Sequence, residues 1–108
     1  MTVPEIDIDE FADHVAAGAR IIDVREPDEY TAGHVPGAVL VPLGTVPDQL
    51  DQFGGDGTTY VICQAGGRSM RAAQFAAEHG HEVVNVAGGT GAWIASGRDV
   101  ITGDQPLA

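Results

Sequence analysis

The stretch TTYVICQAGGRS occupies residues 58–69 and decides the fold. Its first five residues, 58–62, are β-branched or aromatic, which is typical of a buried strand, and they run directly into Cys63. Two glycines follow in a short loop, and Ser69 is predicted to open an Ala-rich helix that Gly80 closes. The stretch therefore predicts a strand, a glycine loop and a helix in direct succession.

The sequence on either side alternates between short helices and strands. Asp7 followed by Glu10 has the arrangement of a helix-capping box, and Pro27 suits the first turn of another helix. Further helices are predicted near residues 8–17, 26–30, 47–53 and 91–96, and further strands near residues 21–24, 37–43 and 81–86. This alternation predicts an α/β fold with a small, mostly parallel central sheet of about five strands, flanked by helices on both faces.

Length, composition and charge limit the possible functions. The 108 residues, 44% of them hydrophobic, are enough for one compact domain over residues 1–108. The net charge is −11 and all five basic residues are Arg, so neither nucleic acid nor an acidic membrane surface is expected as a partner. No stretch reaches the roughly 20 apolar residues that span a bilayer, and the first residues lack the order of a signal peptide. We therefore expect a cytoplasmic protein.

Cys63 is the only cysteine, so it can form neither an internal disulfide nor a Cys-x-x-Cys site. Ligands of open parallel sheets collect at the carboxyl ends of the strands, which is where its own strand places Cys63. The glycine loop can turn amide groups towards the sulfur, and the helix that follows has a positive N-terminus. Because such surroundings lower the pKa of a cysteine from about 8.5 to roughly 3.5–7.5, we predict a nucleophilic thiolate.

Other polar residues have more than one interpretation. Arg68 offers a planar donor fork that suits an oxyanion on a substrate, and Ser69 is either a helix cap or a hydrogen-bond donor to the sulfur. Asp23 and Arg25 either frame the pocket or form an ion pair that locks the end of their strand, and we predict the ion pair. His34 lies in a Gly-His-Val-Pro-Gly turn and is predicted to be structural.

At these positions the sequence resembles the rhodanese family. The loop of residues 63–69 resembles the family's active-site loop, in which the Cys carries a persulfide and an Arg closes the loop. Residues 22–38 resemble its N-terminal signature, and residues 88–93 its C-terminal one. Four residues separate Cys63 from Arg68, which is similar to the compact loop of sulfurtransferases. The related dual-specificity cell-cycle phosphatases and arsenate reductases have one residue more.

The resemblance implies a thiosulfate sulfurtransferase that needs no metal or organic cofactor. Its partners would be a small anionic sulfur donor such as thiosulfate and a cyanide, thiol or protein acceptor. Cys63 would be the catalytic residue, and the substrate-binding residues would be Gln64, Ala65, Gly66, Gly67, Arg68 and Ser69. Gln64 departs from the Arg or Lys of many family members, which weakens the positive field at the mouth of the site. The alternatives are a sulfur-relay protein that serves thiolated cofactor or tRNA synthesis, a noncatalytic regulatory module, and a phosphatase or arsenate reductase.

Overall fold

The computed structural model describes residues 2–107 and contains one five-stranded sheet. The strands are β1 (Glu5–Ile6), β2 (Arg20–Asp23), β3 (Ala38–Leu40), β4 (Thr59–Ile62) and β5 (Val83–Val86), and the α-helices are α1 (Ile8–Ala16), α2 (Pro27–Ala32), α3 (Gly67–Glu78) and α4 (Gly89–Ala95). Two 3₁₀ helices, Leu43–Asp48 and Leu50–Phe53, lie between β3 and β4. The strand order is β1-β5-β4-β2-β3 and every neighbouring pair is parallel, which confirms the predicted α/β class. Within residues 2–107, no helix has the length and apolar character to cross a membrane.

Each face of the sheet is covered by its own apolar cluster. The first cluster, here called the α3-side cluster, contains Ala73 from α3 and Phe53 from the second 3₁₀ helix. The second cluster contains Phe11 from α1, Tyr30 from α2 and Trp93 from α4. The helices therefore flank the sheet on both faces, as the alternating pattern predicts.

Strand β4 lies at the centre of the sheet, between β5 and β2. Because side chains alternate along a strand, Tyr60 and Ile62 belong to the second cluster, whereas Val61 and Cys63 belong to the α3-side cluster. All four residues of β4 are buried, which fits its unbroken run of β-branched and aromatic side chains. The same alternation fixes the face of the sheet on which the only cysteine lies.

The starts of two helices differ from the prediction. Helix α3 begins at Gly67 rather than at Ser69, because Gly66 adopts a left-handed backbone with φ of 113° and serves as the N-cap. Helix α4 begins at Gly89 rather than at Gly91, again after a left-handed glycine. Ser69 is therefore the third residue of its helix, and its side chain is not the N-cap.

Three further elements differ from the prediction. The strand expected at 37–43 is limited to β3, because Pro42 has no N–H for the ladder. The weak helix expected at 47–53 is instead two 3₁₀ helices, of which the first contains Pro47. Strand β1 was not predicted, since a two-residue strand has almost no local signal and is held by its pairing with β5.

Candidate functional site

Cys63 directly follows β4, at the carboxyl end of the central strand. Its side chain points to the α3 side of the sheet, towards the helix that its own loop starts. Only 1% of the residue is exposed. The sulfur therefore lies beneath the loop, and a reactant would approach it past the rim of that loop.

Two hydrogen-bond donors converge on the Cys63 sulfur. The backbone N–H of Gly66 donates to Sγ over 3.1 Å, and the Ser69 hydroxyl donates to it over 3.3 Å. The left-handed backbone of Gly66 lets the loop turn tightly enough to point its amide inward. The N-terminus of α3 lies next to the same atom and adds a positive partial charge. The arrangement is a cradle for an anionic sulfur.

The surroundings of Cys63 act on its pKa in opposite directions. Burial raises the pKa of the thiol, whereas the Ser69 hydroxyl and the nearby backbone amides of Ser69, Gly66 and Ala65 lower it. These polar groups together outweigh the burial, so the pKa of the thiol lies below its ordinary value. A larger fraction of the sulfur is consequently a thiolate at neutral pH than in an ordinary cysteine.

The start of α4 supports the loop from behind. The amide of Thr90 donates to the Cys63 carbonyl over 2.9 Å, and the amide of Gly91 donates to the Gln64 carbonyl over 3.0 Å. A Cβ at Gly89 would lie 2.4 Å from the Cys63 carbonyl oxygen, so only glycine permits this approach. The sequence marks residues 88–93 only by their resemblance to a family signature, and no local pattern indicates that these glycines support the loop.

The exposed rim of the loop consists of Gln64, Ala65 and Gly67. The Gln64 side-chain oxygen accepts a hydrogen bond of 3.2 Å from the Arg25 guanidinium. A surface groove of about 230 Å³ adjoins this contact, and its lining includes Arg25, Glu29 and Gln64. An incoming molecule at this groove would meet the loop from its exposed side.

Arg68 is engaged by an acidic partner. Its two terminal nitrogens donate to the two carboxylate oxygens of Glu29, at 2.7 and 2.9 Å. This pairing was not predicted, and it neutralises the fork that was expected to be free for an oxyanion. Substrate binding by Arg68 stays a prediction. It has to take account of the ion pair between Arg68 and Glu29.

The other polar residues singled out in the sequence have structural contacts. Asp23 and Arg25 form a buried ion pair of 2.9 Å, as predicted. His34 is fully buried, and its two ring nitrogens contact the carbonyls of Tyr30 and Gln105, both at 2.8 Å. These contacts agree with structural roles.

A sequence profile of the rhodanese-like domain matches residues 7–96. The chain belongs to the rhodanese-like domain family. Among its curated relatives is YrkF of Bacillus subtilis, which is named as a sulfur carrier protein. The two sequences are 36% identical over 95 residues, and the match covers 85% of this chain and 51% of YrkF. The chain thus spans about half the length of that relative. Thiosulfate sulfurtransferase 16, chloroplastic, of Arabidopsis thaliana is 37% identical over 98 residues, covering 79% of this chain and 82% of the relative.

Solved rhodanese structures agree with this fold. A rhodanese-related protein from Thermoplasma volcanium superposes with a TM-score of 0.86 and 28% identity, covering 93% of this chain and 99% of that one. The fold therefore agrees with the rhodanese-like family, as the sequence motifs indicated.

Proposed function

We propose that residues 1–108 form a single rhodanese domain that acts as a thiosulfate or persulfide sulfurtransferase, with Cys63 as the catalytic nucleophile. One observation carries this proposal: the Cys63 sulfur accepts hydrogen bonds from Gly66 and Ser69 at the carboxyl end of the central strand. Such a cradle favours the anionic forms of sulfur, first the thiolate and then the persulfide.

The transfer takes place in two displacements. In the first, the Cys63 thiolate attacks the outer sulfur of thiosulfate, the new S–S bond forms, and sulfite leaves with the electron pair of the broken bond. In the second, cyanide or a thiolate attacks the terminal sulfur and leaves as thiocyanate or a persulfide, which restores the Cys63 thiolate. Charge balances in each step, and no external oxidant or reductant takes part.

Residues 64–69 supply the substrate-binding part of the proposal. The amides of Ala65, Gly66 and Ser69 lower the pKa of the thiol, and the same donors would stabilise a sulfur added to it. Gln64 and Gly67 lie at the rim, where the oxyanion end of a donor would arrive. Arg68 would donate to the oxyanion end of the substrate when that group takes the place of Glu29.

A sulfur-relay role is the second candidate, and specific charges favour it. Gln64 is neutral, the Arg68 charge is balanced by Glu29, and the chain carries a net charge of −11, so little positive potential attracts a dianion such as thiosulfate. A protein donor or acceptor depends less on that attraction. The relative YrkF is named as a sulfur carrier protein, and that name also supports a relay role. Thiols as acceptors also suit the cytoplasm, which we propose as the compartment.

Intact-protein mass spectrometry tests the proposal directly. Incubation with thiosulfate should add the mass of one sulfur atom, and cyanide should remove it. Cys63→Ser serves as the matched control and should acquire no sulfur. A wild-type protein that acquires no sulfur from thiosulfate but acquires it from a protein persulfide would favour the relay role, and a protein that acquires none from either would refute both candidates.

A further inference from the structure

The Ser69 hydroxyl lies between two acceptors. Its oxygen is 3.3 Å from the Cys63 sulfur and 3.2 Å from the Gly66 carbonyl oxygen. A serine hydroxyl has one hydrogen and can donate it to only one of these atoms at a time. Whatever determines that choice also determines how strongly Ser69 stabilises the thiolate.

The Gly66 carbonyl already has two other donors. The amide of Met70 donates to it over 3.1 Å within α3, and the side-chain amide of Asn85 donates to it over 3.1 Å from β5. A carbonyl oxygen has two lone pairs. Met70 and Asn85 therefore fill its capacity and leave the Ser69 proton for the sulfur.

The orientation of Asn85 is fixed by its contacts. Its Nδ2 atom donates to Glu5 over 2.8 Å as well as to Gly66, and both partners are acceptors. The opposite orientation would place an oxygen against two oxygens. Asn85 is fully buried, and within residues 2–107 its Oδ1 atom has no hydrogen-bond partner. A buried polar atom without a partner is costly, so the two donations are what hold this side chain in place.

We propose that Asn85 is a positioning residue that directs the Ser69 proton to the Cys63 sulfur by saturating the Gly66 carbonyl. Its meaning for catalysis rests on the proposed sulfurtransferase function. Asn85 acts through Ser69 and does not itself touch the sulfur. Strand β1, which brings Glu5 to Asn85, becomes part of the same arrangement.

The charged groups near the loop do not replace this effect. Arg68 in α3 is paired with Glu29 from α2, and Asp23 is paired with Arg25 at the end of β2. Glu5 from β1 accepts a hydrogen bond from Asn85, which in turn donates to the Gly66 carbonyl beside Ser69. A change at Asn85 leaves both ion pairs intact, so its effect on Cys63 passes through Gly66 and through the Ser69 hydroxyl that contacts both Gly66 and the sulfur. The Ser69→Ala background separates these two routes.

A double-mutant cycle tests this coupling. The rate at which iodoacetamide alkylates Cys63 is measured against pH in the wild type, Asn85→Leu, Ser69→Ala and the double variant. Asn85→Leu should raise the pKa of the thiol and slow alkylation about fivefold at a pH below that pKa, the equilibrium factor of one ordinary hydrogen bond. In the Ser69→Ala background the same change should have no further effect. Equal slowing in both backgrounds would show a purely structural role and overturn the proposal.

Glu5→Ala provides a second variant if Asn85→Leu does not fold. Glu5 is exposed, and its loss frees the Asn85 amide without a change in the core. We expect a smaller shift of the same sign, again only where Ser69 is present, and no shift at all would overturn the proposal. Alkylation requires no sulfur transfer, so the cycle remains informative even if the wild type fails to acquire sulfur from thiosulfate.

Discussion

Arg68 and Glu29 form a bidentate ion pair between the first turn of α3 and helix α2, with N–O distances of 2.7 and 2.9 Å. Glu29 also accepts a hydrogen bond from the amide of Glu26 at the start of α2. One carboxylate thus caps its own helix and ties down the end of the loop that holds the reactive sulfur.

Glu29→Gln should lower the free energy of unfolding at neutral pH by about 1 kcal/mol or less, because the pair is about one-third exposed. The hydrogen bond from Arg68 and the amide of Glu26 lower the pKa of Glu29 from 4.5 to about 2. Since the folded state holds the lower pKa, this stabilisation is complete above about pH 4.5 and is lost as the pH falls towards 2. Urea unfolding at several pH values measures it, and a difference between the two proteins that persists at pH 2 would contradict this account.

Arg68→Ala should raise the KM for thiosulfate about fivefold with little change in kcat, because a charged donor near the substrate is lost. Arg71→Ala, which removes an exposed cation one turn further along α3, is the control and should change the KM less. If the ion pair with Glu29 reduces the attraction of Arg68 for an anionic substrate, Glu29→Gln should lower the KM for thiosulfate. Steady-state thiocyanate formation distinguishes these outcomes, and equal effects of the two arginines would mean that Arg68 has no specific role.

Asp23→Asn should destabilise the protein by about 3–5 kcal/mol, because it leaves the buried Arg25 guanidinium without its carboxylate. The matched control is Asp9→Asn, which breaks an ion pair with Arg98 in which the Asp9 side chain is 84% exposed. That change should leave thermal unfolding almost unaffected. Similar melting temperatures for the two variants would show that the buried pair contributes no more than a surface pair.

Gly89→Ala should destabilise the fold by about 2–4 kcal/mol, because the added methyl group meets the Cys63 carbonyl and the backbone has a φ of 58°. The loop should shift as a result, and alkylation of Cys63 at neutral pH should slow. Gly44→Ala is the control, since nothing lies within 4 Å of its added Cβ. Chemical denaturation and alkylation rates are the measurements. A Gly89→Ala protein as stable as Gly44→Ala would contradict the predicted clash.

The central part of the fold could be predicted from the sequence because its signals are local. The apolar run before Cys63, the Asp7 cap of α1 and Pro27 at the start of α2 each specify an element within a few residues. The side of the sheet on which the sulfur lies also follows, once the strand is recognised, from simple alternation.

The remaining features depend on contacts between distant residues. Glu29 meets Arg68 across 39 residues, and Asn85 meets Glu5 across 80. No local pattern marks such pairs. The start of α3 was placed too late because Gly66 as an N-cap relies on backbone conformation rather than on a capping side chain. Two roles were open for Ser69, helix cap or hydrogen-bond donor to the sulfur. The structure fits the second, because Gly66 holds the N-cap position and the Ser69 hydroxyl contacts the sulfur.

The alternation along β4 has a consequence for how this chain can change over evolutionary time. Insertion or deletion of one amino acid between Thr59 and Cys63 would move the sulfur to the opposite side of the sheet, among the aromatic rings of Phe11 and Trp93 and away from every donor described above. Surface connections elsewhere can lengthen or shorten freely. The spacing of this one strand cannot change without loss of the reactive centre.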